Sequence, residues 1–312
     1  MSRAGDIREQ VEHESRRRSR LAVPAFGGGF LYLLSSIVIT ETLNGAPTVG
    51  VLEGLRPALE GVANPSVSPR ANEVKFVSRH AFPLIAGSVL AAVALGALVL
   101  VLVLLLEATV FRRPETVPWA RRVLIAGGIA VALVAVVHQV VSAIETHDFA
   151  TGHDLSSHAV DRALTTGTAN VIVQYVSLLA GLAFAAGIVV VMMNALRVGL
   201  VPRWMGFLGM FTGLLIFLPI GGAELQVVPA LWMVMMGVLY AGRWPGGDPP
   251  AWSAGEPRPW PSGAQVRAER QAARTGKPVP VPAGAGAGGD VPPEPAQPAP
   301  RASSRKRRKK SR

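Results

Sequence analysis

The sequence predicts an all-α fold, a polytopic bundle of about six transmembrane helices. Half of the 312 residues are hydrophobic and only 16% are charged, whereas soluble domains carry about 25% charged residues. The charges are concentrated at the two ends of the chain, and long uncharged segments lie between them. Several of these segments reach about 20 residues, the length that crosses the hydrocarbon core of a bilayer. We therefore expect a membrane-embedded core with water-exposed ends.

Six apolar segments are the predicted spans. The second is the clearest, because residues 90–106 contain only Ala, Val, Leu and one Gly. The first is expected to remain as an anchor, since no small-residue cleavage site follows it and further spans do. The fifth and sixth are short and joined by residues 221–224, which favours a tight hairpin of two spans, with a re-entrant pair as the alternative. The predicted spans are residues 21–43, 82–106, 123–144, 171–196, 204–220 and 225–241.

The distribution of basic residues predicts the orientation. Arginines are concentrated in residues 1–20, 107–122 and 197–203, whereas the alternate connections, residues 44–81 and 145–170, contain few basic side chains. Because cytoplasmic loops carry the excess of Arg and Lys, both termini are predicted to be cytoplasmic. The Arg-rich and Ala-rich composition is typical of a high-GC genome, so we expect a bacterial plasma membrane.

The predicted domains follow from these spans. Residues 1–20 form a basic cytoplasmic segment that could support a short solvated helix, and residues 21–241 form the membrane domain with long outer loops at 44–81 and 145–170. Residues 242–312 are rich in Pro, Gly and Ala, a composition that cannot bury enough apolar surface to order a chain. We therefore expect a disordered cytoplasmic tail.

The tail ends in a basic cluster that predicts a partner. Because these side chains flank a membrane domain, anionic inner-leaflet lipid or an acidic protein is the expected partner, and nucleic acid is not. The cluster consists of Arg305, Lys306, Arg307, Arg308, Lys309 and Lys310.

The chain lacks the residues and motifs that several classes of enzyme require. There is no cysteine, which excludes disulfides, thiolate metal sites and catalytic thiols. The sequence also has no phosphate-binding P-loop, no H-E-x-x-H zinc motif and no G-x-S-x-G nucleophile elbow. The fourth predicted span contains no carboxylate, which argues against a proton-coupled pump. A non-enzymatic protein is therefore expected.

Polar residues on the third and fourth predicted spans form a candidate ligand site. His138, Ser142 and Glu145 are spaced i, i+4, i+7 and share one helix face, as do Asn170, Gln174 and Ser177 on the next span. Both faces begin at the same membrane boundary and could meet there. The predicted ligand-binding residues are His138, Gln139, Ser142, Glu145, Asn170 and Gln174.

The connection between these spans suggests a metal or haem site as an alternative. It contains His147, His153, His158 and Asp154, and imidazole with carboxylate suits Zn²⁺ and related ions. The other interpretation is an ordinary hydrated acidic loop in which Asp154 caps a short helix. Because the spacing matches no compact zinc pattern, the absence of a cofactor is the leading expectation.

Small residues indicate close helix packing. Gly206, Gly209 and Gly213 recur in the fifth span, and Gly181 with Ala185 forms a small-x-x-x-small pair in the fourth. Such positions allow two helices to approach closely. Packing within the bundle is the default interpretation, and a homo-oligomer is the alternative.

The turn Leu200-Val201-Pro202-Arg203-Trp204-Met205-Gly206 carries a resemblance. A short basic L-P-R-W-x-G turn that opens a late hydrophobic span, followed here by Gly209, resembles one in a family of multi-pass actinobacterial membrane proteins with a domain of unknown function. The resemblance covers about residues 20–241. It implies a similar helical bundle and transfers no catalytic residue.

Together these observations predict an integral membrane protein with a non-enzymatic structural, sensory or assembly role. A small-molecule permease with its site between the third and fourth spans is one alternative. A metal- or haem-binding membrane protein with an outward-facing His and Asp site is the other.

Overall fold

In the computed structural model the described residues are 3–50, 52, 55–56, 59–61, 67–115, 119–218, 222–245, 247–260, 267, 271–272 and 274. This part of the chain is helical, and its only β pairing is an isolated bridge between Val67 and Leu155. The prediction of an all-α fold is confirmed. The helices are α1 (Arg3–Asn44), α2 (Ala71–Arg79), α3 (Ala81–Arg112), α4 (Ala120–Thr151), α5 (Ser157–Asp161), α6 (Thr168–Val198), α7 (Arg203–Phe217), α8 (Gly222–Tyr240) and α9 (Pro250–Ala254), with a π-helical turn at Arg162–Thr166.

Four helical stretches are long and apolar enough to cross a membrane. They are residues Gly5–Asn44 of α1, the whole of α3, the whole of α4 and the stretch Ser157–Val198 that ends with α6. At 1.5 Å per residue, the 15 residues of α7 span about 22 Å, less than the roughly 30 Å of a hydrocarbon core. The four long helices match the first four predicted spans, and crossing by α7 and α8 stays a prediction.

The main helices pack side by side around α3. Helix α1 lies between α3 and α8, α4 lies between α3 and α6, and α7 packs against α6 and α8. We call the two ends of the bundle the basal end and the distal end. The basal end carries Arg112, Ala120, Val198, Arg203 and Tyr240, and the distal end carries Asn44, Ala81, Thr151, Thr168 and Phe217.

The N-terminal segment continues the first span without a break. Helix α1 has 42 residues and contains Pro24, so residues 3–20 are the basal part of one long helix rather than a separate short helix. Two pairs of acidic and basic residues at i, i+4 spacing in this segment behave differently. Glu12 and Arg16 form an exposed pair at 3.3 Å, whereas Glu14 and Arg18 are buried and turn towards the bundle.

The hydrophobic core lies in the basal half of the bundle, where α1, α3, α4, α6, α8 and α9 all contribute buried residues. Its largest fully buried side chains include Phe184, Trp232 and Tyr240. The Trp232 indole donates to the Met205 carbonyl at 3.0 Å, and the Tyr240 hydroxyl donates to the Val101 carbonyl at 2.8 Å. Gly209 permits this packing, because a Cβ there would lie 2.9 Å from the Trp232 indole nitrogen.

A buried ion pair joins α1 to α3 at the basal end. The side chains of Arg112 and Glu14 are 0% and 3% exposed, and Arg112 Nη2 lies 2.7 Å from Glu14 Oε2. Arg112 Nη1 donates to Glu14 Oε1 at 3.1 Å and to the Ala108 carbonyl at 2.8 Å. Gln10 adds a donor to the same carboxylate at 3.0 Å. The hydrogen bonds around both groups offset the desolvation that burial imposes on charged side chains.

The segment after α8 packs on this pair, which corrects the expectation that the chain is disordered from residue 242 onward. Trp252 of α9 is 5% exposed. Its indole donates to the Leu200 carbonyl at 2.9 Å, and its ring lies 5.3 and 5.5 Å from the guanidinium carbons of Arg18 and Arg112. Arg112 Nε also donates to the Ala251 carbonyl at 3.0 Å.

Further contacts fix the two sides of α9. Arg18 pairs with Asp248 at 2.5 Å on one side, and the backbone N–H of Arg258 donates to the Val198 carbonyl at 2.9 Å on the other. Gly199, at φ 88°, is required there, because a Cβ would collide with the Arg258 carbonyl. Residues 247–260 are therefore part of the folded bundle. The remaining predicted tail lies almost entirely outside the described residues.

Replacing Glu14 by Gln should destabilise the protein strongly. The substitution leaves the Arg112 guanidinium buried without a counter-charge, and breaking such a pair costs about 3–5 kcal/mol. Thermal unfolding in detergent, followed by near-ultraviolet circular dichroism, measures the loss. Glu12→Gln is the matched control, since its exposed pair should contribute less than about 1 kcal/mol. Equal effects of the two substitutions would contradict a structural role for the buried pair.

Trp252→Ala should also lower the stability of the whole bundle. The substitution removes a buried indole and uncovers both arginines, and large-to-small changes of this kind cost about 3–5 kcal/mol. Trp119→Ala is the control, because that ring is 50% exposed. Unfolding at an unchanged temperature in the Trp252 variant would show that α9 is not needed for stability.

Candidate functional site

The distal end is covered by a short loop and helix built on local caps. The Ser156 hydroxyl accepts from the Ala159 backbone N–H at 3.3 Å and so begins α5, while Asp154 Oδ1 accepts from the Ser156 N–H at 3.0 Å. The side-chain and backbone hydrogen bonds from Ser156 lower the pKa of Asp154. Asp154 thus takes part in a helix cap, as the hydrated-loop interpretation expected, and it remains ionised at neutral pH.

A small second core holds this cover in place. It contains Ala71 and Val74 of α2, Phe149 of α4, Val160 of α5 and Ala163 of the π-helical turn. The Ser68 N–H also donates to the Leu155 carbonyl at 2.7 Å. The predicted outer loop 145–170 is therefore largely helical, its connection 152–167 is folded against α2 and α4, and the start of α6 has a defined position.

The π-helical turn brings α6 against the end of α4. Gly167 follows this turn and packs against the Glu145 carboxylate, where a Cβ would collide with both oxygens. Asn170 is 5% exposed. Its amide donates to the Ala163 carbonyl at 3.2 Å and to Glu145 Oε2 at 3.4 Å. Asn170 and Glu145 form a wall between two cavities.

The first cavity, called here the polar cavity, lies between α4, α6 and the distal end of α7. Its volume is about 670 Å³. The polar lining residues His138, Gln174 and Ser177 make no side-chain hydrogen bond within the part of the chain that the structure describes. The other lining residues are Val131, Leu164, Thr165, Asn170, Tyr175, Leu178, Gly181, Ile216 and Phe217. The polar cavity therefore holds free donors and acceptors beside an apolar wall.

The second cavity, called here the acidic cavity, lies on the other side of Glu145 and Asn170. It has a volume of about 690 Å³, and its charged lining residues are Glu145, Asp148, Asp154 and Arg162, with His153 beside them. Because acids outnumber the single arginine, the lining carries a net negative charge at neutral pH.

The structure brings together only part of the predicted ligand site. His138, Asn170 and Gln174 line the polar cavity, and Glu145 lies across the wall. Gln139 and Ser142 line neither cavity. Of the three residues in the i, i+4, i+7 pattern of α4, His138 and Glu145 therefore line different cavities and Ser142 lines neither.

The predicted metal residues are dispersed. His153 and Asp154 line the acidic cavity, whereas His147 and His158 do not, and His158 Nδ1 instead lies 3.2 Å from Arg162 Nη2. Among the described residues, no group of three or more His, Asp or Glu side chains could hold a metal ion. The metal or haem site thus remains a prediction without a coordination group in this part of the chain.

Two residues that line the polar cavity were not predicted from the sequence, and one predicted group of residues lies outside the described part of the chain. Phe217 and Ile216 come from the end of the fifth predicted span, and nothing local in the sequence links them to His138. The polar periodicity of α6 did indicate Ser177. The basic cluster, Arg305, Lys306, Arg307, Arg308, Lys309 and Lys310, lies outside the described residues, so its expected contact with lipid or a partner stays a prediction.

Comparison of the chain with known proteins returns no relative. No family model matches it. No curated protein matches it. No solved structure matches its fold. The resemblance at Leu200–Gly206 therefore remains a prediction, and function has to be inferred from the geometry of the site.

Proposed function

We propose that this chain is a non-enzymatic sensory component of a bacterial plasma membrane, with six spans, that binds a small ligand in the polar cavity. The observation that supports this role best is the cavity itself, about 670 Å³ in volume, with His138, Gln174 and Ser177 left without partners. Cavities of about 300–1,000 Å³ with a few convergent polar groups are the usual form of small-molecule sites.

The position of these polar groups strengthens the proposal. They belong to two of the long helices that are apolar enough to cross a membrane. An unsatisfied amide or hydroxyl in an apolar medium costs about 2–7 kcal/mol, so polar side chains within spans generally face water or a ligand. Three such side chains around one cavity favour a binding site over an accident of packing.

A closed basal half favours binding over transport. Beneath the polar cavity, the bundle is filled by fully buried side chains such as Phe184, Trp232 and Tyr240, and α9 packs across its end. A permease would need a second conformation in which this half opens. A solute flux that depends on the protein and is abolished by His138→Ala would favour the permease.

The proposed orientation places the distal end, with both cavities, outside the cell. The basal end carries Arg17, Arg121 and Arg203, whereas the distal cover carries Asp148, Asp154 and Asp161. This charge difference agrees with the positive-inside rule. Both termini would then be cytoplasmic, and the ligand would come from outside or from the membrane.

Single cysteines should report this orientation cleanly, because the chain has no native cysteine. Thr166 and Ser253 are exposed at the distal and basal ends respectively. In intact cells, a membrane-impermeant maleimide should label Thr166→Cys and leave Ser253→Cys unlabelled, and permeabilised cells should label both. The reverse pattern in intact cells would invert the proposed topology.

The ligand should be retained through purification by the wild type and lost when the polar cavity is altered. Gln174→Ala combined with Ser177→Ala removes two hydrogen-bonding groups, which should weaken binding by about 10- to 100-fold. Mass spectrometry of small molecules extracted from the purified proteins measures the difference.

Gln139→Ala combined with Ser142→Ala provides the matched control. It removes the same two residue types from α4, at positions that do not line either cavity, so its extract should match the wild type. Identical extracts from all three folded proteins would contradict ligand binding in the polar cavity.

A further inference from the structure

The chemistry of the polar cavity restricts its ligand, provided that it binds one as proposed above. Twelve of the described residues line it, and none of these is Asp, Glu, Lys or Arg. Its hydrogen-bonding groups are the imidazole of His138, the amides of Asn170 and Gln174, and the hydroxyls of Thr165, Tyr175 and Ser177. A charged ligand placed there would lose its hydration without gaining a counter-charge, which is unfavourable. The lining therefore suits an uncharged, hydrogen-bonding group.

The other part of the lining is apolar. Val131, Leu164, Leu178, Ile216 and Phe217 supply side chains that cannot hydrogen-bond. A ligand that fills the cavity must place a hydrocarbon portion against this wall, because bare polar groups there would be left without partners. The lining thus fits a molecule with one polar and one apolar portion.

The polar cavity also opens sideways, through the surface of α6. Tyr175 and Leu178 line the cavity and are nevertheless 67% and 50% exposed. Every residue from 174 to 179 is exposed. At 100° per residue this stretch covers all directions around the helix, so α4 and α7 cover α6 only partly at this level.

The surface around this opening is apolar. Ile172, Val176, Leu179 and Leu182 are each between 45% and 68% exposed. In a helix long and apolar enough to span a membrane, such a surface faces hydrocarbon. The opening therefore connects the cavity with lipid rather than with water alone.

We propose that the ligand of the polar cavity is an uncharged amphiphile that enters sideways from the membrane, with its hydroxyl or carbonyl group at His138, Gln174 and Ser177 and its hydrocarbon portion towards Phe217 and the opening beside Tyr175. The shared chemistry of an uncharged polar group could also come from a water-soluble polyol. The experiment below separates the two sources.

The test measures protection of a thiol at the cavity. Thr165 lines the cavity and is exposed, so Thr165→Cys places the only thiol of the chain at the site. The full-length protein is reconstituted in phosphatidylcholine nanodiscs, and its modification by N-ethylmaleimide is timed by mass spectrometry. With a ligand at ten times its Kd, the rate should fall about tenfold, because only the unoccupied fraction reacts.

Four probes distinguish charge and source. Dioctanoylglycerol is uncharged and membrane-borne, dioctanoyl phosphatidate and dioctanoyl trimethylammonium propane carry opposite charges on the same chains, and glycerol has the hydroxyls without the chains. Dioctanoylglycerol should protect the thiol, and the other three should not. Equal protection by either charged lipid would overturn the uncharged class, and equal protection by glycerol would overturn entry from the membrane.

Variants connect protection with the named residues. In the Thr165→Cys background, Ser177→Ala should raise the dioctanoylglycerol concentration needed for half protection by about 3- to 10-fold. Ser142→Ala should leave it unchanged. An equal rise of this concentration in both variants would show that dioctanoylglycerol binds outside the polar cavity.

The inference and the proposed function can fail separately. If no probe protects the thiol, but the wild type retains a water-soluble or charged compound that the Gln174 and Ser177 variant loses, this inference fails and the proposed function stands. If neither protection nor retention is observed, both fail.

Discussion

The buried pair between Glu14 and Arg112 constrains the rest of the basal end. Removing both charged groups from water is unfavourable unless each finds several partners in a fixed geometry. One partner of Arg112 is the Ala251 carbonyl, and the face of Trp252 covers its guanidinium. The pair therefore fixes α1 against α3 and requires the segment after α8 to return to the bundle. A sequence stretch with the composition of a linker becomes a structural element for this reason.

The two halves of the bundle differ in how completely they are packed. The basal half is closed by buried aromatic residues and the Glu14–Arg112 pair, whereas every residue of α6 from 174 to 179 is exposed. Binding sites are usually found in the less stable parts of a structure, because entry of a ligand requires local opening. A firmly held basal half allows the distal half to keep an open cavity without loss of the overall fold.

The sequence predicted the features that depend on local pattern. The length of the uncharged segments, compared with the thickness of a bilayer, was enough to predict the long helices. The i, i+4 spacing placed His138 and Gln174 on helix faces that meet. The contacts that were missed depend on distant residues. Glu12 and Glu14 have the same side chain two positions apart, and only packing against Arg112, 98 residues away, selects Glu14. Likewise, the composition around Trp252 predicted disorder, because composition contains no information about contacts with distant residues such as Arg18 and Arg112.

The wall between the cavities explains how an uncharged site can exist beside an acidic one. Asn170 is buried and donates to both the Ala163 carbonyl and Glu145, so the carboxylate has a partner and faces the acidic cavity. A leucine at position 170 would leave Glu145 without that donor and would remove the polar separation. Under the proposed preference for uncharged ligands, the role of Asn170 is to hold the Glu145 carboxylate towards the acidic cavity.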